Sequence, residues 1–280
     1  IEVARTLGLA PEAIREQELR AGPAHAVKVD LKGPTARDLL DKSRRMIQDA
    51  IRKQEKTNLV LVEIGSSGGS PGDSESFANY LAFDLDPSKV RTVAYIPKEA
   101  QGDAALIALA CDQIVMHPDA VLGGGERLKL GQQEVQDLVR LIREIAKRKS
   151  RSWSLPAAMF DAELAVFRCT KPGQAEPAYF CDAELESLAD ARQWLRGERV
   201  TVPGQPFVIR GKDAGLYPLG VRTATDFAEL KAMYGLRDNP QVLRPTWVDV
   251  LVEILSSWPV RVALLILGFL ALYIELHSPG

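Results

Sequence analysis

One short segment of this chain has the layout that a catalytic nucleophile would use. The stretch KEAQGDAALIALACDQIVM, Lys98–Met116, reads as a polar loop, a small-residue helix and a β-branched strand. A helix that starts behind such a loop is a good seat for a nucleophile, because its free N–H groups and dipole hold developing negative charge. The loop tip here is Gly102–Asp103, with no Ser, Cys or Thr. A seat for a nucleophile is therefore present, and the nucleophile is missing. Upstream, SSGGSPGDS, Ser66–Ser74, is a glycine-rich turn. Ser66, Ser67 and Ser70 have the ordinary roles of turn chemistry and helix entry. Asp103 is expected to be an N-cap, worth about 1 kcal/mol.

Other chemistries are poorly supplied. Cys111, Cys169 and Cys181 form no CxxC, and no His/Cys cluster is present, so neither a metal nor any other cofactor is expected. Cys111 lies in the apolar helix and reads as a small buried hydrophobe. Cys169 and Cys181 flank a turn-rich loop and either form a disulfide or remain free thiols. Lys+Arg is 35 and Asp+Glu 37, a net charge of −2, which argues against a nucleic-acid partner held by a basic surface. EIAKRKSR reads as a basic helix end complementing the dipole on a solvated surface.

The elements that must position these residues alternate. Ala24–Leu31 is a strand, and 35–55 has helical apolar spacing with a charged opposite face. Asn58–Ile64 and Val90–Ile96 are near-continuous apolar runs, as parallel strands covered on both faces require. A helix capped by Ser74 runs to about Leu85, and the opening stretch adds a helix over 103–111 and a strand over 113–116. The order strand, helix, strand, helix predicts an α/β domain with right-handed crossovers. Gly131–Ser150 is a further amphipathic helix; LAVFRCT, PAYFC and PFVIR are short strand candidates, and Thr223–Leu236 is a closing helix.

The two ends differ from this body. IEVARTLGLAPEAIREQ enters an amphipathic segment without a start, and it faintly echoes LKAMYGLRDNPQVL. Residues 1–23 are read as the end of a preceding domain or linker, 24–243 as the main domain and 244–280 as a membrane-directed end. Thr246–Trp258 places Val248, Leu251, Val252 and Leu255 on one face between two tryptophans. Val262–Ile274 then carries no charge. An interfacial helix leading into a C-terminal transmembrane helix is expected, with Glu275 near the far boundary.

These segments together resemble one family. LVEIGSSGG is similar to the glycine turn of ClpP/crotonase-fold serine proteases. AYIPKEAQGDAALIALACDQIVMHPDAVLGG resembles the loop, helix and strand that carry their nucleophile. SWPVRVALLILGFLALYIELHSPG resembles the membrane entry of the NfeD branch, the membrane-bound ClpP-class proteases related to signal peptide peptidase SppA. The resemblance covers about residues 24–280. It implies an α/β, ClpP/crotonase-like spiral of repeated ββα-type units, and in active members a Ser–Lys dyad with the turn glycines at the oxyanion.

Carried over residue by residue, the resemblance puts Gly102 at the nucleophile position and roughly Gln133 at the base position. Gly68 and Gly69 keep the oxyanion turn. Glycine cannot attack, and glutamine cannot take a proton. Lys129 lies near the base position, and His25, His117 and His277 suit no triad. The resemblance thus implies a membrane-anchored serine protease homologue without catalysis, acting by binding or scaffolding peptides or membrane proteins. It implies a homo-oligomer whose main domain lies on the extracytoplasmic side of a bacterial inner membrane. Two alternatives remain: an active membrane serine endopeptidase with an upstream catalytic copy or relocated nucleophile, and a crotonase-type acyl-CoA enzyme, since fold does not fix function.

Overall fold

A computed structural model describes residues 24–53, 57–125, 131–244, 255 and 258–277. The N-terminal member of the faint echo, Lys129 and nearly all of the expected interfacial helix lie outside these residues. The chain divides into two compact units that part between Leu243 and Arg244.

The first unit begins with β1 (Ala26–Lys32), α1 (Arg37–Lys53) and β2 (Leu59–Gly65). Next come α2 (Pro71–Asn79), which a π-helical turn extends over Tyr80–Asp84, then β3 (Arg91–Ile96) and β4 (Glu99–Ala100). α3 (Asp103–Ala110), β5 (Gln113–Met116), β6 (Val121–Gly123) and α4 (Gln132–Lys149) follow. The second half is made of shorter pieces. They are α5 (Ser154–Ala158), β7 (Phe167–Thr170), β8 (Ala178–Phe180), α6 (Asp182–Ser187), β9 (Leu195–Arg199), β10 (Val208–Arg210), β11 (Val221–Thr223), α7 (Phe227–Met233) and β12 (Gln241–Val242).

The fold is mixed α/β around a parallel sheet ordered β11-β5-β3-β2-β1-β12. Twice a sheet strand is followed by a short strand and a helix: β3, β4, α3 and then β5, β6, α4. The short strands join in a second sheet, β10-β6-β4, and a bridge from Ser66 to Ala100 ties the glycine turn to its edge. Alternation explains why β2 is buried on both faces. Val60, Val62 and Ile64 enter the main core with α1, α2 and α3, whereas Leu59 and Leu61 join Tyr95 and Leu230 behind the sheet. α3 is buried at every residue, so its alanines let it pack between the sheet and its helical neighbours.

Two expectations are corrected here, and one left open is resolved. Ser74 is not a cap: α2 starts at Pro71 after Ser70, and Ser74 lies one turn inside, fully buried. Cys169 and Cys181 are both free and buried. In the β7–β8 register Cys169 faces Ala178 and Phe167 faces Phe180, which puts Cys181 three residues along, about 10 Å away at strand rise. A disulfide needs Cα atoms within about 7 Å. The basic end of α4 is not all solvated surface either. The Lys149 side chain is 7% exposed, and its Nζ donates to Asp112 Oδ1 at 2.6 Å. Thr92 donates its N–H and hydroxyl to Asp112 Oδ2 at 2.8 and 2.9 Å, and Arg151 donates to the Asp112 carbonyl. Asp112 thereby joins the start of β3 to the end of α4. Cys111 beside it is fully buried, which pushes its thiol up to about 12 and leaves it inert.

The second unit contains α8 (Trp258–His277). Its apolar side chains, among them Leu264, Ile266, Phe269 and Leu270, are exposed. Among the described residues, however, no helix is long and apolar enough to cross a membrane, so the expected C-terminal spanning helix is not found. The uncharged run Val262–Ile274 between Arg261 and Glu275 explains the shortfall. At 1.5 Å per residue it rises about 20 Å, against a hydrocarbon core about 30 Å thick.

Candidate functional site

The site is assembled where four loops meet at the start of α3. Gly102 is the N-cap residue, with φ 57° and ψ −136°. That backbone is a sharp loop-to-helix elbow of the kind that presents nucleophiles in hydrolases, in a region where side-chain-bearing residues are strained. Gly102 is buried, and its N–H donates to the Gly124 carbonyl at 2.6 Å. A Cβ on Gly125 would lie 2.9 Å from the Gly102 nitrogen, so the chain leaving β6 passes directly over the elbow.

Asp103 is the first residue of α3 rather than its cap, and its role is larger than the sequence suggests. It is 4% exposed. Its Oδ1 accepts the Gly69 N–H at 2.7 Å. Its Oδ2 accepts the Ser74 hydroxyl at 2.6 Å and also the Thr35 hydroxyl. One carboxylate therefore ties α3 to the loop before α1, to the glycine turn and to α2. Both glycines of that turn are sterically required. A Cβ at Gly68, where φ is 98°, would sit 2.6 Å from Asp103 Oδ1, and one at Gly69 would sit 2.6 Å from the Thr35 nitrogen.

The amides of the turn are thus already used. Gly69 N–H serves Asp103, and Gly68 N–H donates to Ser66 Oγ at 3.1 Å. Ser66 is buried in the turn, and Ser70 donates to Asp73 Oδ2 at 2.5 Å, so both serines play the turn roles expected of them. Gln133 lies elsewhere in character: it is exposed in the first turn of α4, with Nε2 3.3 Å from both Asp137 carboxylate oxygens. Among the described residues no hydrogen bond joins it to the elbow. Its surroundings are acidic. The Glu75 carboxyl of α2 is raised above its usual range first by burial, then by the charges of Asp137 and Glu134 on α4.

A cavity of about 510 Å³ opens between α1 and α2, bordered by Arg37, Asp41, Arg44, Ser70 and Asp73. Arg37 pairs with Asp73 across it at 3.1 Å, and Arg44 pairs at 3.1 Å with Asp84, which lies outside the lining. Its lining stops at Ser70 and does not include Gly68, Gly69, Gly102 or Asp103. Among the described residues no group of His, Cys, Asp or Glu side chains is arranged to hold a metal ion.

No family model matches this chain, and no curated protein does. Solved structures do. The 1510-N membrane protease specific for a stomatin homolog from Pyrococcus horikoshii superposes with a TM-score of 0.52, 14% identity, and coverage of 84% of this chain and 100% of that one. The chain shares the fold of that protease. A serine-to-alanine variant of the 1510-N membrane-bound stomatin-specific protease gives a TM-score of 0.50 at 14% identity, covering 80% of this chain and all of the other. ClpP1 from Listeria monocytogenes overlaps less, with a TM-score of 0.38, 15% identity, and coverage of 48% of this chain and 78% of that one. The α/β protease-like fold implied by the sequence motifs is therefore present. At 14% identity the likeness concerns fold, and function has to be argued from the elbow and the turn.

Proposed function

We propose that this chain is an NfeD-type, ClpP-class serine protease homologue that associates with membranes and binds peptide or membrane-protein segments without cutting them. The observation that carries the reading is the Asp103 carboxylate on the Gly69 amide, beside a nucleophile position held by Gly102. Peptide hydrolysis by this fold class needs three things at once: an attacking oxygen, a base to take its proton, and amides free to receive the oxyanion. Gly102 removes the first, exposed Gln133 is no base, and an internal carboxylate holds one of the turn amides. The shared fold with a membrane-bound protease and the exposed apolar face of α8 support membrane association.

One experiment reads both halves. The protein is mixed with phospholipid vesicles and a panel of apolar peptides drawn from membrane-protein segments, floated through a density gradient, and analysed by mass spectrometry. The expected result is protein floating with the vesicles and carrying intact peptides. Cleaved peptides would show that catalysis persists, and protein left at the bottom of the gradient would end the membrane reading.

A further inference from the structure

The Asp103 carboxylate has an unusual environment for a buried charge. Thr35 and Ser74 are both fully buried, and both point their hydroxyls at Oδ2. Gly69 N–H meets Oδ1 at 2.7 Å. No ion pair to Asp103 is found among the described residues. What balances the charge is a set of neutral donors from three separate segments, together with the N-terminal end of α3. Hydrogen bonds to an ionised acceptor are roughly twice as strong as neutral ones, and a helix start favours a negative group in its first turn.

We propose that Thr35, Gly69 and Ser74 form a carboxylate-binding cradle and that Asp103 is its tethered ligand. The cradle is built by the loop before α1, the glycine turn and α2, so its donors do not depend on Asp103 for their covalent placement. Among the described residues, two of its donors, the Thr35 and Ser74 hydroxyls, donate to no other acceptor. The ligand class is a small planar monocarboxylate, bound through one amide N–H on one oxygen and two hydroxyls on the other. In the native chain the cradle is permanently full. Restoring a hydroxyl at position 102 would therefore leave the turn unable to receive a substrate oxyanion until Asp103 was also removed. The inference concerns the site on which the proposed function rests, but its test reads binding and not hydrolysis, so either can fail alone.

The test uses Asp103→Gly in the otherwise intact chain, because removal of the whole side chain leaves room for a free carboxylate. Thermal unfolding is followed with increasing sodium formate, against sodium chloride at equal ionic strength. The expected result is a lowered Tm that formate raises saturably and chloride does not. Wild type and Asp103→Asn, whose cradles stay occupied, should show no saturable response to formate. If Asp103→Gly is insoluble, its refolding yield from denaturant is compared in formate and in chloride, and a higher yield in formate is expected. Equal behaviour of Asp103→Gly in the two salts, or an equal formate response in wild type, overturns the cradle.

Discussion

Lys149→Met is expected to destabilise the fold by about 3 kcal/mol at neutral pH, measured by urea unfolding. The Lys149 side chain is 7% exposed and that of Asp112 is 22% exposed, with 2.6 Å between Nζ and Oδ1. Removing the ammonium leaves a largely buried carboxylate that keeps its Thr92 donors but has lost the Lys149 counter-charge, and breaking one side of a buried pair costs far more than the pair itself contributes. The effect depends on pH in a fixed direction. Burial pushes the Asp112 carboxyl up, but the charge and hydrogen bond of Lys149 and the donors on Thr92 outweigh it, and the carboxyl lies below the usual range. A carboxyl depressed in the folded state contributes stability that is fully present above its unfolded value, about 3.9, and lost as pH falls through the lower folded value. Wild type and variant should therefore differ most near neutrality and converge below about pH 4. A difference that is constant with pH would show that the variant loses packing, not an ion pair.

Gly102→Ser is expected to lower stability by about 1–3 kcal/mol and to gain no hydrolytic activity. At φ 57° and ψ −136° a side chain is strained, and glycine alone adopts this backbone without that cost. For a domain of this size the loss corresponds to about 2–4 °C in Tm per kcal/mol. Active hydrolases tolerate such strain because it presents the nucleophile. This chain keeps the elbow and dispenses with the strain. On the proposed reading, serine at 102 would meet a glycine turn whose Gly69 N–H is taken by Asp103, and exposed Gln133 at the proposed base position could not take its proton. Unchanged stability would mean that the elbow relaxes in solution, and measurable peptide hydrolysis would mean that a base and free amides exist after all.

The long apolar runs made most of the fold legible in the sequence. Val60–Ile64 and Val93–Ile96 are short, largely apolar and rich in β-branched or aromatic residues, as strands covered on both faces are, and the charged stripe of 132–149 marks a helix lying on the core. The two- and three-residue strands β4, β6, β11 and β12 were not legible. A strand that short has no period of its own and exists only because a distant partner pairs with it, as Gln241 does with Val27. The elbow and the glycine turn could be read from residue types, since Gly102, Gly68 and Gly69 each occupy a place where a Cβ or a negative φ does not fit. The carboxylate hub could not. Asp103 looks like an N-cap locally, and its hydroxyl partners lie 68 and 29 positions away in sequence. Lys149 misled for the same reason: a basic helix end is usually solvated, and only the approach of Asp112 from the preceding crossover buries it.

The claim that this protease-like fold carries no working nucleophile is tested most directly by a fluorophosphonate probe. Such probes label any serine whose hydroxyl is activated by a base and supported by oxyanion donors. Purified wild-type protein is incubated with the probe and its intact mass measured, followed by peptide mapping of any adduct. No adduct is predicted at any serine, including Ser66, Ser67, Ser70 and Ser74 around the turn. A stoichiometric adduct mapped to one of these serines would contradict the account.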